Sequence, residues 1–395
     1  MLVTATVLLT AVAIAMTVVG VAPPGAQESQ RSTQARPLVL GYYVPYDSAS
    51  WFSLQAHADQ LDLVGAQWVS IDACGGIASR DDQTLKQFAR SHNLKVVPSL
   101  FTVSSWLNHR ILTDESTSAS AIEHIVSYTS AEAYDGFDLD LENVAPDDRP
   151  ALTDFVGTLA AALHEQGKML TLAIPAKERD VTQGWSGAFD YAALGAHADL
   201  VTVMAYEYRG PFSGPGSVAP FAWVQRVARF ATAQIPPDRI LLGLAFYGYD
   251  WNTTSGSARS IGYAQFAALA ERYSAAVGFD LEQRSLSFTY AGTSGEPPPT
   301  VPSQPPPRHA TAVHQPPPCD AQPPPPVPST PTPPAPSPGE PQLHEVWLEE
   351  STSAAARLSL VDAYGVRGVA TWRLGLEDPA VWPLFEQWRG DDQGV

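Results

Sequence analysis

The sequence has little positive charge and almost no cysteine. Among 395 residues, 23 Lys and Arg stand against 41 Asp and Glu, which gives a formal net charge of −18. This excess of negative charge disfavours binding to a polyanion, so nucleic acid is not expected as a partner. The two cysteines, Cys74 and Cys319, show no Cys-x-x-Cys or metal-site spacing. They could form one disulfide outside the cell or stay two separate thiols.

Several motifs of hydrolases and nucleotide-binding enzymes are also missing. The nine His residues are scattered, and neither the His-Glu-x-x-His pattern of zinc hydrolases nor the Gly-x-Ser-x-Gly pattern of serine hydrolases occurs. No glycine-rich phosphate loop follows the first predicted strand. The sequence therefore predicts neither a metal centre nor an organic cofactor.

The N-terminus contains one long run without charge, residues 2–22. Its length suits either the core of a signal peptide or a single membrane span. We therefore expect residues 1–28 to direct export, as a cleaved signal peptide or as a retained membrane anchor, and residues 29–37 to form a polar spacer. An extracellular or cell-surface location follows from this prediction.

From residue 38 onward, apolar strand-like segments alternate with amphipathic helical segments. The predicted strands are eight in number: 38–45, 63–73, 94–103, 134–144, 169–176, 200–208, 240–251 and 368–375. Near-continuous apolar runs are typical of parallel strands that are covered on both faces. Eight such strands, each followed by a helix or a longer connection, predict a single (β/α)8 TIM barrel over residues 38–391. A doubly wound sheet is the rival fold.

One segment interrupts this alternation between the seventh and eighth strands. Residues 297–341 hold 21 of the 36 prolines, a composition that favours extended polyproline conformations over a packed core. The segment separates two strand-like stretches, 285–292 and 344–350, which together indicate a hairpin. We therefore expect a small α+β insertion after the seventh strand that carries a disordered Pro-rich loop.

The fourth predicted strand contains a row of acids. In "DGFDLDLE", residues 135–142, Asp138, Asp140 and Glu142 alternate with apolar residues, so a strand places three carboxylates on one face. A solvated face does not suit the apolar flanks, and a calcium loop requires polar or Gly residues between its ligands. At the C-terminal end of a barrel strand the acids would crowd each other, and at least one would keep its proton to a higher pH. Cleavage of a glycosidic bond requires such a protonated acid.

This row resembles the Asp-Gly-x-Asp-x-Asp-x-Glu motif of glycoside hydrolase family 18, the chitinase-like barrels. "LGYYVP", "VMAYEY" and "GVATWRLG" resemble the first, sixth and eighth strands of that family. The stretch that ends in "GLAFYGYDW" is similar to the branch that contains bacterial cell-wall and spore-cortex N-acetylglucosaminidases. The likeness covers about residues 38–388, apart from the Pro-rich loop.

The resemblance implies a substrate-assisted retaining mechanism. Glu142 would protonate the glycosidic oxygen, and the 2-acetamido carbonyl of the substrate would attack the anomeric carbon to give an oxazolinium ion. Asp140 would orient the acetamido group, and Asp138 would share a proton with Asp140. Tyr206 would donate a hydrogen bond to the acetamido oxygen.

The resemblance also assigns residues that bind the sugar. Trp372 would stack on the sugar ring and Tyr42 would line the site from the first strand. Glu207 stands where the family usually has Asp, so its contact with the acetamido group would come from a longer side chain. The third strand, "PSLFTVSSW", lacks the Ser-x-Gly-Gly of the family, and Asp135 is out of phase with the other acids, which favours a structural role.

The sequence thus predicts an exported, monomeric glycosidase that cleaves β-1,4 bonds next to N-acetylglucosamine in peptidoglycan or chitin-type glycans. Two alternatives stay open. One is a non-hydrolytic, carbohydrate-binding member of the same fold, although members that lose hydrolysis typically lose the residue at Glu142. The other is an anchored structural protein whose Pro-rich loop is the working part.

Overall fold

The computed structural model describes residues 36–294, 296, 310–314, 316, 318–321, 323 and 339–390. Within them, eight parallel strands form a closed sheet, because the first strand pairs with both the second and the eighth. The (β/α)8 TIM barrel is therefore confirmed. The barrel strands are Leu38–Tyr43, Leu63–Ile71, Lys95–Thr102, Gly136–Leu141, Met169–Pro175, Leu200–Met204, Ile240–Ala245 and Gly368–Trp372.

Helices pack around this sheet and bury its outer face. They are Ser48–Ala56, Gln83–Ser91, Ser105–Thr113, Glu115–Ala131, Arg149–Glu165, Tyr191–His197, Phe221–Gln234, Ser351–Tyr364 and Val381–Arg389, and three 3-10 turns span Ala58–Gln60, Pro146–Asp148 and Pro237–Arg239. Many begin at a side chain that accepts a hydrogen bond from a backbone N–H of the first turn, as at Asp82, Asp114 and Asp190. Among the described residues, no helix is both long enough and apolar enough to cross a membrane.

Three aspartates tie neighbouring barrel strands together at the N-terminal end of the barrel. Each immediately precedes a strand, and its carboxylate accepts the first backbone N–H groups of the adjacent strand: Val39 to Asp62, Val96 to Asp135 and Leu170 to Asp199, all at 2.8 Å. These N–H groups would otherwise lack an acceptor at the edge of the sheet ladder. Asp135 therefore lies at the opposite end of its strand from Glu142.

The chain between the seventh and eighth barrel strands contains the predicted α+β insertion. Its five strands form an antiparallel sheet with the helix Tyr263–Arg272 packed on it: Tyr247–Asn252, Ser257–Gly262, Gly278–Asp280, Ser285–Thr293 and Pro341–Leu348. The predicted hairpin is present, because Leu286 to Thr293 pair antiparallel with Leu348 to Pro341.

Part of the Pro-rich segment is ordered, contrary to the prediction of a disordered loop. Ala310–His314 pairs antiparallel with Ile77–Asp82, the strand that follows the second barrel strand. Residues 310–314 contain no proline, so every backbone N–H in this stretch can donate to a ladder. Cys319 then forms a disulfide with Cys74, which settles the alternative that the sequence left open. Most of segment 297–341 lies outside the described residues, as do the predicted export segment 1–28 and the spacer up to residue 35.

We expect the Asp135→Ala variant to lose about 1 kcal/mol in the free energy of unfolding, because the Val96 N–H loses its acceptor. Denaturant titration of the purified protein measures this difference. The matched control is Asp154→Ala, which removes an exposed aspartate from the helix Arg149–Glu165 and should change stability far less. Equal unfolding free energies for Asp135→Ala and wild type would contradict the structural role of Asp135.

Candidate active site

The fourth barrel strand, Gly136–Leu141, points its acids into the barrel. Leu139 and Leu141 pack in the main hydrophobic core, while Asp138 and Asp140 on the other face are 0% and 5% exposed. Glu142 follows at the C-terminal end of the strand. Its backbone N–H donates to the Thr102 carbonyl at 2.8 Å, so the strand ladder still fixes the position of this residue.

Asp138 is the most deeply buried acid of the row. The Thr171 hydroxyl donates to Asp138 Oδ1 at 2.5 Å and the Tyr42 hydroxyl at 3.5 Å. Ser99, from the third strand, stands beside Asp138 in the sheet register. Burial raises the pKa of Asp138 to about 6, although Thr171, Ser99 and Tyr42 act to lower it. The third strand thus places a serine next to Asp138 even without the Ser-x-Gly-Gly sequence, although Ser99 Oγ makes no hydrogen bond within the described part of the chain.

Asp140 and Glu142 both keep their protons to a higher pH than free carboxyl groups do. Burial is the largest cause of the raised pKa of Asp140, and the charges of Glu142 and Asp138 raise it further. For Glu142, burial again comes first and the charged neighbour is Glu207. The sequence predicted that crowding would make at least one acid of the row keep its proton to a higher pH, and the raised pKa values of Asp140 and Glu142 confirm this. Burial is the largest cause, the two acids repel each other, and Glu207 from another strand adds a further negative charge.

Two carboxylate oxygens in the row have unused hydrogen-bonding capacity. Asp138 Oδ2 and Asp140 Oδ1 are buried, and neither has a hydrogen-bond partner within the described part of the chain. Such an atom is costly unless it carries a proton or meets a donor. Asp140 also lines the cleft. A proton shared between Asp138 and Asp140 stays a prediction.

Glu207 is held by the insertion. It lies just after the sixth barrel strand in a left-handed conformation, with φ of 63°. Its Oε1 accepts hydrogen bonds from the hydroxyls of Tyr247 at 2.5 Å and Tyr249 at 2.7 Å. The two tyrosines lie two residues apart on one strand, and therefore on one face. Neither tyrosine was predicted from the sequence, although the alternation in "FYGYDW" is a signal that indicates them.

The predicted aromatic residues come from three other strands and lie beside the acids. Tyr206 follows the sixth strand, and after burial the charges of Asp140 and Glu142 are the next largest causes of its raised pKa. Tyr42 and Trp372, from the first and eighth strands, make an edge-to-face contact with ring centroids 5.6 Å apart. Tyr42 packs with residues of the barrel interior, as the prediction requires.

These residues surround one cleft of about 750 Å³ at the C-terminal end of the barrel. Six of the seven sequence-predicted site residues line it, and the seventh, Asp138, lies deeper on the same strand. Further aromatic residues that the sequence did not predict complete the lining: Phe101, Trp185, Phe212, Trp223, Tyr247 and Tyr249. Trp185 and Phe212 belong to loops, which carry no periodic sequence signal, and the other four lie on strands or a helix.

Among the described residues, one group of His, Cys, Asp or Glu side chains is close enough to hold a metal ion. It consists of Asp72, Cys74 and Cys319. The two sulfur atoms of this group already form the disulfide, so they offer no thiolate to a metal.

The family model, the related proteins and the related solved structures that match this chain agree with one another. The family model described as "Glycosyl hydrolases family 18" matches residues 38–377. The "Uncharacterized glycosylase YvbX" of Bacillus subtilis (strain 168) is 22% identical over 363 residues, which are 90% of this chain and 92% of that protein. The "Cortical fragment-lytic enzyme" of the same organism is 26% identical over 287 residues, 71% of this chain but only 56% of that enzyme. The crystal structure of a chitinase from Chromobacterium violaceum ATCC 12472 superposes with a TM-score of 0.72 and 25% identity, over 89% of this chain and 98% of that chain.

The raised pKa of Asp138 predicts how stability depends on pH. An acid whose pKa is higher in the folded protein than in the unfolded chain costs stability as the pH rises between the two values, here from 3.8 to about 6. Asp138→Asn removes this cost. We expect the variant to gain about 2–3 kcal/mol relative to wild type between about pH 4 and pH 7.

Denaturant titrations at several pH values across this range test that expectation. Asp154→Asn, at an exposed position, is the control and should keep a constant difference from wild type. A difference between Asp138→Asn and wild type that does not change with pH would show that Asp138 ionises normally in the folded protein.

Proposed function

The chain belongs to family 18 of the glycosyl hydrolases, and we propose that it is an exported, retaining enzyme that cleaves β-1,4 bonds next to N-acetylglucosamine in peptidoglycan or chitin-type glycans. The observation that carries this proposal is the cleft that joins Glu142, Asp140 and Tyr206, with a raised pKa at Glu142. The names of the relatives, which include a cortical fragment-lytic enzyme, favour bacterial wall glycan over chitin.

Glu142 acts first as an acid and then as a base. Its proton passes to the glycosidic oxygen while the bond from that oxygen to the anomeric carbon breaks. The acetamido oxygen of the same sugar attacks the anomeric carbon and forms the oxazolinium ion, so configuration is retained over two inversions. The Glu142 carboxylate then removes a proton from a water molecule as the water attacks the anomeric carbon. This step opens the oxazolinium ring and restores the acid.

The neighbouring side chains hold the acetamido group in the attacking orientation. Asp140 lines the cleft and accepts the acetamido N–H, and its negative charge stabilises the cation that develops in the ring. Asp138 lends Asp140 a proton and takes it back as the charge in the cleft changes. The Tyr206 hydroxyl donates to the acetamido oxygen. Glu207, fixed by Tyr247 and Tyr249, raises the pKa of Glu142 at this wall of the cleft.

The sugar ring itself needs an apolar surface. Trp372, in edge-to-face contact with Tyr42, offers an indole face on which the less polar face of a pyranose can stack. Both residues line the cleft on the side of the first and eighth strands.

Export and a monomeric state belong to the same proposal. Residues 2–22 are uncharged and suit a signal peptide or an anchor. The disulfide between Cys74 and Cys319 supports an oxidising location, because disulfides persist mainly outside the cytosol. An extracellular or cell-surface enzyme would meet wall glycan directly.

The Glu142→Gln variant tests the assigned acid. It keeps the shape of the side chain but cannot donate a proton, so we expect turnover to fall by about 10²–10⁴-fold. The assay incubates both proteins with N-acetylglucosamine oligomers and with purified peptidoglycan, and mass spectrometry of the products identifies the bond that is cut. Asp135→Ala, which alters an acid of the same motif at the other end of the strand, should keep its turnover.

Equal turnover by Glu142→Gln and wild type would reject Glu142 as the acid. Binding of the oligomers without any product from the wild-type protein would instead favour the non-hydrolytic, carbohydrate-binding alternative. Unchanged products after deletion of residues 297–341 would exclude the Pro-rich loop as the working part.

The pH profile tests the role of Glu207. Because the charge of Glu207 raises the pKa of Glu142, Glu207→Gln should lower that pKa. Glu142 must be protonated to act, so the alkaline limb of the kcat/KM profile should move to lower pH. Glu271→Gln, an exposed glutamate on the helix Tyr263–Arg272, is the control. An alkaline limb that stays in place in Glu207→Gln would show that Glu207 does not influence the acid.

A further inference from the structure

A second cavity lies in the insertion, apart from the cleft. It has a volume of about 200 Å³, and among the described residues it shares no lining residue with the cleft. Its walls come from four strands of the antiparallel sheet and from the end of the helix Tyr263–Arg272. Pockets for drug-sized ligands typically measure roughly 300–1,000 Å³, so this cavity suits a smaller molecule.

The strand Tyr247–Asn252 separates this cavity from the cleft. Tyr247 and Tyr249 line the cleft, and Asp250 lies on the other face of the strand because successive side chains alternate. In the sheet, Asp250 stands beside Val346, which packs against the helix of the insertion. The cavity therefore lies on the face of the sheet that this helix covers, and a ligand in it would meet none of the catalytic acids.

The most buried charged group of the cavity is Asp250, whose side chain is 2% exposed. Its Oδ2 accepts hydrogen bonds from Arg259 Nη2 at 2.8 Å and from the Tyr290 hydroxyl at 2.9 Å. Its Oδ1 lies 2.7 Å from His344 Nδ1. Three donors satisfy this buried carboxylate, and in return it fixes the orientation of the guanidinium and of the imidazole.

Arg259 keeps donors that a ligand can use. A guanidinium has five N–H groups in a fixed fork, and within the described part of the chain only Nη2 of Arg259 makes a hydrogen bond, the one to Asp250. The side chain is 42% exposed and lines the cavity. Its fork matches the two oxygens of a carboxylate. Because Asp250 already orients the guanidinium, a ligand loses less entropy on binding.

The second acid of the cavity is paired as well. Glu296 lies 3.6 Å from Arg272 and accepts a hydrogen bond from the Thr293 hydroxyl at 3.2 Å. Together with Arg259 and His344, the cavity thus has three basic side chains against two acidic ones, in a chain whose formal net charge is −18. An anion therefore meets less repulsion here than over most of the surface.

Three stacked rings form one wall of the cavity. Tyr273 and Tyr290 have ring centroids 4.2 Å apart and planes 19° apart, and Tyr290 and His344 have centroids 4.4 Å apart and planes 16° apart. All three residues line the cavity. A row of nearly parallel rings offers apolar surface for the carbon part of a ligand.

We propose that this cavity binds a small carboxylate ligand, with the carboxylate on the Arg259 guanidinium and the apolar part of the ligand against the stacked rings. The free C-terminal end of a short peptide and a small organic acid share this chemistry. The site lies outside the cleft, so the inference does not depend on the proposed glycosidase activity.

Titration of the purified protein with matched acids and amides, followed by NMR of the ligand, tests this proposal. The probes are benzoate with benzamide, and alanyl-alanine with its C-terminal amide. We expect at least one acid to bind at least tenfold more tightly than its amide, because the amide lacks the charge and the second acceptor oxygen. Tighter binding of alanyl-alanine would identify a peptide end, and tighter binding of benzoate a small organic acid. No binding of either acid, or amides that bind as tightly as the acids, would overturn the proposal.

Arg259→Lys locates the binding site. Lysine keeps a positive charge beside Asp250 but lacks the fork, so the affinity for the acid should fall about tenfold. The matched control is Arg226→Lys, because Arg226 is also 42% exposed and also pairs with a carboxylate, that of Glu178 at 2.6 Å. The control should keep the wild-type affinity. Equal affinity of Arg259→Lys and wild type would overturn the proposal.

Circular dichroism shows whether Arg259→Lys keeps the fold. If its spectrum changes, Ser257→Phe takes its place in the titration. Ser257 is exposed and lines the cavity, and it lies on the same face of its strand as Arg259. The added ring should block binding of the acid without touching the hydrogen bonds of Asp250. Wild-type affinity in a folded Ser257→Phe variant would likewise overturn the proposal.

Discussion

The crowding of carboxyl groups at the C-terminal end of the barrel is the constraint on which the rest of the site depends. Asp138, Asp140, Glu142 and Glu207 come from two strands and share one end of the barrel. Burial is the largest cause of the raised pKa of each of the first three, and mutual repulsion adds to it for Asp140 and Glu142. Separated and solvated, such acids would ionise near pH 4. Their burial in one place is what keeps protons available for chemistry near neutral pH.

The barrel and its insertion both position these acids. Side chains alternate between the two faces of the fourth strand, so Asp138 and Asp140 point into the barrel. Glu142 lies at the C-terminal end of this strand. The insertion supplies Tyr247 and Tyr249, which fix Glu207 beside Glu142. The pKa of Glu142 therefore depends on the insertion, which lies about a hundred residues further along the sequence. A change in the insertion that moves either tyrosine would alter the pH dependence of the reaction without touching the motif.

Local sequence patterns account for what could be predicted. The alternation in "DGFDLDLE" and the eight apolar runs were sufficient for the barrel, because strand periodicity is a local property. The meeting of Glu142 with Tyr206 and Trp372 was expected from the resemblance of their strands to the family. The position of Trp185 was not predictable, since it lies in a loop. The pairing of residues 310–314 was obscured by the surrounding prolines. The contribution of Glu207 to the raised pKa of Glu142 was not predictable, because Glu207 lies near Glu142 only after folding.

The most direct test of the account is the ionisation of Glu142 itself. Carbon-13 NMR of the protein labelled at its glutamate carboxyl carbons, with Glu142→Gln to assign the resonance, measures this pKa in the free enzyme. The burial of Glu142 and the nearby charge of Glu207 predict a pKa above the ordinary glutamate range of about 4.3–4.5. A Glu142 carboxyl that titrates within or below that range would contradict the claim that the fold retains a proton at this position.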